Sequence, residues 1–212
     1  MILESSLTKE VSMKPFGLTG NIGCGKSTVA RFLAKLSNVI IFDTDDIAKE
    51  VIASDINRLD ILDILGVDVF SFGSADFGAI AKIVFSDHLK KKQLERFVHP
   101  LVWKLIQDKI TLLGDQFIYI VESAIIYEIG LEDRFSAVIV ATCSPEEQLR
   151  RLKENRKMGD SEIKGRLLNQ FSLADKEKRA DLLIYTDCDL VELQNRVNKL
   201  YYKLMEQKKG EE

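Results

Sequence analysis

The sequence predicts an α/β sandwich, a doubly wound parallel sheet of five strands with helices on both faces. Three observations carry this expectation. Residues 16–18, 39–42, 117–121, 137–141 and 182–185 are continuously apolar rather than alternating, as strands covered on both faces read. Helical patterns separate them, so β and α alternate. A glycine-rich turn joins the first apolar run to the first helical one.

The elements follow in chain order. Residues 1–14 read as an N-terminal extension, with Met13 as an internal candidate start. After Lys26, the residues Val29, Phe32, Leu33 and Leu36 recur at i, i+3, i+4 and i+7, a helix apolar on one side. Ser144-Pro145-Glu146-Glu147 has the pattern of an N-cap, a first-turn proline and a capping-box glutamate. Asp189 and Glu192 repeat it ahead of a last helix carrying Leu193, Val197, Leu200 and Leu204. The core is therefore expected over 15–55, 114–149 and 181–208. Residues 56–113 are expected as a mainly helical substrate-side insertion, broken at Phe72-Gly73-Ser74. Residues 150–180, rich in arginine, are expected as a mobile lid, with Arg150 and Arg151 on its solvated face.

Composition narrows the function classes. The chain has 212 residues, a net charge of −3 and 46% hydrophobic residues. Such a charge draws the protein to neither nucleic acid nor an anionic membrane. Lys90-Lys91-Lys92 is the one dense basic run, read first as a solvated helix face. Three cysteines without CxxC spacing argue against a disulfide framework or structural zinc. With no long apolar run and no signal-like N-terminus, the expected location is the cytoplasm.

The chemistry begins at "GLTGNIGCGKST", residues 17–28. Glycines at 20, 23 and 25 permit positive φ and leave backbone N–H groups free to face phosphate oxygens. The helix behind adds unpaired N–H groups and its positive dipole end. Asn21, Ile22, Gly23, Cys24, Gly25, Lys26, Ser27 and Thr28 are thus expected to cradle a nucleoside triphosphate. Lys26 would reach the β and γ phosphates and Ser27 would ligate Mg²⁺. Cys24, near a helix N-terminus, is expected to have a lowered pKa and a reactive thiol. The second apolar run empties into Asp43, Asp45 and Asp46, where a carboxylate can take the proton of an attacking hydroxyl; Asp43 or Thr44 could instead cap the next helix. Glu122 ends the third run, either as a Mg²⁺-side acid or as a solvated strand-end charge.

Taken together, "GLTGNIGCGKST", "FDTDDIAKEV", "IVFSDHLKKKQLERFVHPLV", "IIYE" and "RADLLIY" resemble the dephospho-coenzyme A kinases over roughly residues 15–205. The resemblance implies a P-loop kinase core, a helical CoA-side domain and a lid. It also implies transfer of the ATP γ-phosphate to the ribose 3′-hydroxyl of dephospho-CoA. By position, Asp45 matches the family's base and Asp43 a loop support. His99 and Glu128 match acceptor-side residues, with Lys92 or Lys91 meeting the acceptor diphosphate. Arg156 matches the lid arginine that closes on the transferring phosphate. The chain departs from the family pattern at Ala124-Ile125-Ile126-Tyr127, at Phe77 and at Thr186. Another nucleoside or nucleotide kinase, and a nucleotide-dependent binding module without turnover, are the competing readings. A guanine-reading Asn-Lys-x-Asp is matched only loosely by Asn57-Arg58-Leu59-Asp60, far too early in the chain.

Overall fold

The computed structural model describes residues 14–71 and 74–210. The expected extension, except Lys14, and Phe72-Gly73 of the expected break lie outside the described residues. The chain packs as two compact units, one running up to Phe42 and from Leu113 onward, the other from Asp43 to Leu112. The second unit thus begins earlier than the insertion expected from residue 56.

The first unit holds β1 (Phe16–Thr19), α1 (Lys26–Leu33) and β2 (Val39–Asp43), the last ending at the boundary. The next unit opens with α2 (Thr44–Ala53) and continues through α3 (Arg58–Leu65), β3 (Phe70–Ser71), β4 (Ser74–Ala75), α4 (Phe77–Ser86) and α5 (His88–Leu113). The chain then returns with β5 (Ile118–Glu122), β6 (Val138–Thr142), α6 (Pro145–Arg150), α7 (Asp160–Leu167), α8 (Leu173–Arg179), β7 (Leu182–Tyr185) and α9 (Leu190–Gly210).

The five long strands form one sheet in the order β2-β5-β1-β6-β7. β1 lies parallel to both β5 and β6, with Leu18 opposite Glu122 on one side and Ile139 on the other. β7 adds parallel to β6. On one face Phe16, Leu18, Ile118, Ile120, Ile139 and Ile184 meet Val29 and Leu33 of α1 and Leu193, Val197, Leu200 and Leu204 of α9. An eight-residue helix is marginal in isolation. α1 is therefore held by this packing, each fully buried leucine or valine contributing about 1.5–3 kcal/mol. On the opposite face Ile126 and Phe135 close directly on Gly17, where a Cβ would come within 2.9 Å of the Ile126 side chain.

The N-caps form as expected, but the capping-box contact of the glutamate does not: Ser144 N donates to Asp187 Oδ2, and Glu147 turns its carboxylate to Arg150 and Arg151. Ser144 accepts from Glu147 N with Pro145 in the first turn, and Asp189 accepts from Glu192 N at 2.8 Å. The small antiparallel hairpin β3–β4 had no sequence signal, since two strands of two residues show no period.

Candidate active site

The phosphate loop runs from the end of β1 to the start of α1. Gly20, Gly23 and Gly25 have φ of +147°, +86° and +78°, which L side chains rarely adopt. Space agrees with conformation: a Cβ on Gly20 would run into the Ala141 carbonyl, and one on Gly25 would lie 3.1 Å from Thr186 Oγ1. Thr28 N and Val29 N already donate to Gly25 O, so the N–H groups ahead of them at the helix start have no partner one turn back. Two buried polar atoms at the loop, Thr19 Oγ1 and Asn21 Oδ1, have no hydrogen-bond partner. Positive-φ glycines, free first-turn donors and orphaned polar atoms together fit a polyanionic ligand such as a nucleotide triphosphate.

Three predicted residues converge here. Glu122 Oε1 accepts from Lys26 Nζ at 2.6 Å and from Ser27 Oγ at 2.9 Å. Glu122 is 5% exposed, so it is not a solvated strand-end charge. A buried carboxylate needs such partners, because desolvation would otherwise cost several kcal/mol.

Residues 145–179 surround the loop from the other side. α6 runs into a π-helical turn at Arg151–Asn155, a bulge that occurs often at functional sites. Leu152, Met158 and Ile163 form a small apolar cluster against which Ile22 of the loop packs. Asn21 Nδ2 donates to Phe171 O, and Ile22 N donates to Gln170 Oε1, both at 3.1 Å. Arg156 ends the π-helical turn with an exposed side chain. Arg150 is half exposed and paired to Glu147 and Glu154. Arg151 is not on a solvated face as expected. Its side chain is only 18% exposed and donates to Glu147, Thr186 Oγ1 and Thr186 O. Helical spacing alone could not show this, because Thr186 lies 35 residues away.

Glu128 is held tightly. Its Oε1 accepts from Lys176 Nζ and from Phe171 N, both at 2.8 Å, while Oε2 is buried without a partner. Lys176 is fully buried and also donates to Ala124 O at 2.6 Å; burial pushes its pKa down. This lysine was missed from sequence, where it reads as one more charge in a stretch of alternating sign between Asp175 and Glu177.

Cys24 corrects another expectation. It is fully buried, and a hydrogen bond with Cys143, followed by burial, pushes its pKa up rather than down. The helix-end effect that would favour a thiolate is outweighed where no solvent reaches the sulfur.

In the other unit, Asp45 is exposed in the first turn of α2, and Asp43 caps that helix by accepting from Asp45 N at 2.9 Å. His99 is half-buried in α5, where burial pushes its pKa down. Lys92 on the same helix is exposed. Lys91 pairs loosely with Glu95 at 3.8 Å, and Lys90 donates to Leu65 O at 2.6 Å. Phe77 opens α4 behind the cap Asp76, 39% exposed.

A glycine loop between the central strand and α1, its lysine and serine drawn to an acid at the end of the neighbouring parallel strand, defines a phosphate-loop nucleotide-binding protein. Comparison with known families sharpens that class. A family model described as Dephospho-CoA kinase matches residues 15–192, and the chain belongs to that family. A dephospho-CoA kinase of Streptomyces avermitilis is 36% identical, over 91% of this chain and 95% of the relative. A solved structure from Thermus thermophilus superposes with a TM-score of 0.77 at 28% identity, covering 90% of this chain and 97% of that one. The dephospho-CoA kinase structure from Campylobacter jejuni shares the fold, with a TM-score of 0.64 at 24% identity over 92% of this chain and 98% of that one. The protein is an ATP-dependent kinase. No helix among the described residues is long and apolar enough to cross a membrane.

Proposed function

We infer that this kinase transfers the γ-phosphate of ATP to the ribose 3′-hydroxyl of dephospho-CoA, completing coenzyme A. The observation that carries the chemistry is the convergence of Lys26 and Ser27 on buried Glu122 beside the glycine loop. The loop N–H groups and Lys26 hold the β and γ phosphates, fixing the reacting group in place. Ser27 and Glu122 offer the hydroxyl and carboxylate oxygens that Mg²⁺ prefers, and they would hold it. When bound, the metal would supply positive charge against the phosphate oxygens.

Asp45 is the proposed base for the acceptor hydroxyl, supported by its place in the Asp43-Thr44-Asp45 motif and by its exposed position in the first turn of α2. Asp43 is committed to the cap and takes no such role. His99, Lys92 and Glu128 are proposed on the acceptor side; neutral His99 and the unpartnered Oε2 of Glu128 remain available to hydrogen-bond. Arg156 is proposed to bring its guanidinium to the transferring phosphate as residues 150–180 close. Free cysteines at 24, 143 and 188 suit a reducing cytoplasm.

The test follows ADP release from Mg·ATP with dephospho-CoA, adenosine, AMP or no acceptor. ADP should form only with dephospho-CoA, with coenzyme A as co-product. Turnover with another of these acceptors and none with dephospho-CoA would overturn the acceptor assignment.

A further inference from the structure

Three consecutive carbonyls of the phosphate loop are each held by a side chain from outside it. Ile22 O accepts from Gln148 Nε2 at 2.8 Å, Gly23 O faces the Cys143 thiol at 4.0 Å, and Cys24 O accepts from Thr186 Oγ1 at 3.1 Å. A trans peptide keeps its C=O antiparallel to the next residue's N–H, and no peptide in the described residues is cis. Anchoring Cys24 O therefore aims Gly25 N–H away from Thr186.

The anchor on Cys24 O is itself built. Thr186 is 1% exposed and lies against Gly25. Its hydroxyl donates to Cys24 O and accepts from Arg151 Nη1 at 2.8 Å. Arg151 Nη2 donates to Thr186 O at 2.6 Å, and Nε is fixed by Glu147 at 2.7 Å. A hydroxyl has one proton to give and lone pairs to receive, so the order guanidinium, hydroxyl, carbonyl is the one that satisfies all three groups.

We propose that Arg151 and Thr186 are positioning residues for the bound phosphates. Arg151, the Thr186 hydroxyl and the Cys24 carbonyl form a charge-assisted relay that fixes Gly25 N–H toward the ligand and strengthens it as a donor. Chains of hydrogen bonds polarise one another in this sense, and an ionised first donor increases the effect. The proposal rests on the reading of the loop as a triphosphate site. It also assigns Arg151 a part distinct from that of Arg156: Arg151 acts through the loop backbone, from the first residue of the π-helical turn that continues α6.

The experiment compares wild type with Thr186→Val, Thr186→Ser and Arg151→Gln, measuring affinity for ATP and for inorganic tripolyphosphate by calorimetry, and kcat and KM for ATP. Valine keeps the shape of threonine and removes the hydroxyl; serine keeps the hydroxyl. Thr186→Val should weaken ATP and tripolyphosphate equally, by about tenfold, while Thr186→Ser stays within about twofold. Arg151→Gln should weaken both by about threefold, through loss of the charge alone. A packing role predicts the reverse, with valine harmless. Equal binding by Thr186→Val and wild type would overturn the relay. So would weakened ATP with unchanged tripolyphosphate, which would make Thr186 a contact to the base or sugar. If Thr186→Val fails to fold, as judged by urea unfolding, Arg151→Gln decides alone: unchanged tripolyphosphate binding would overturn the relay. Failure of the wild type to bind tripolyphosphate would instead remove the reading of the loop on which the relay stands.

Discussion

Glu122 accepts from Lys26 and Ser27 through a single oxygen, so two groups of the phosphate site are tied together by a third. Around it, single side chains differ in burial and in what they hold. Asp43 spends its carboxylate on the α2 cap, whereas Asp45, two residues on, is exposed. Replacing the proposed base by Asp45→Asn is expected to lower kcat by about two or more decades while ATP affinity, read by calorimetry, changes little. Near-full kcat would remove Asp45 from that role. Cys24 makes the opposite point. Its position invites the inference of a reactive thiolate, yet the Cys143 hydrogen bond and burial hold it protonated. Only the thiolate is nucleophilic. Alkylation at pH 8, followed by peptide mass spectrometry, should therefore label Cys24 at least about tenfold more slowly in the native protein than in urea.

At the scale of elements, the α6 helix and the π-helical turn after it form one electrostatic unit. Glu147 takes Arg150 and Arg151 together, and the two guanidinium groups, Arg150 first, hold its carboxyl down at about 2. A carboxyl depressed in the folded state gives stability that is present above its unfolded pKa, about 4.3. That stability is lost as pH falls toward about 2. Glu147→Gln should therefore be less stable than wild type at pH 7, and the gap should narrow as pH drops from about 4.5 to about 2, measured by urea unfolding. A gap constant across that range would show that Glu147 titrates alike in both states. The size of the effect is limited by exposure of Arg150, whose side chain is 49% accessible. The Arg151 side of the pair is better covered, and it is the side that continues to Thr186 and the loop.

For the molecule as a whole, the site is assembled in a unit whose chain is interrupted between Phe42 and Leu113. β2 and β5, far apart in sequence, are neighbours in one sheet, and that sheet carries the loop and Glu122. A ligand bound there stabilises the native state by mass action. At one hundred times its dissociation constant, Mg·ATP adds about 2.7 kcal/mol. For a chain of this size that raises Tm by about 5–10 °C. Thermal unfolding with and without the nucleotide should show this shift, and no shift at saturating Mg·ATP would contradict nucleotide binding by the folded state.

What the sequence by itself determined is the local chemistry. The strands, the caps at Ser144 and Asp189, and the positive-φ glycines of "GNIGCGKS" are properties of residues a few positions apart, where spacing and conformation are linked directly. Asp43 as a helix cap belongs to the same class. The tertiary structure alone decided the partners that stand far apart in the chain. Lys26 meets Glu122 across 96 residues, Thr186 meets the Cys24 carbonyl across 162, and buried Lys176 meets the Ala124 carbonyl across 52. No periodicity in a single chain encodes such pairs. They arise because the parallel sheet brings separate strand ends together, and because a polar group buried there must find a partner or incur the cost of desolvation.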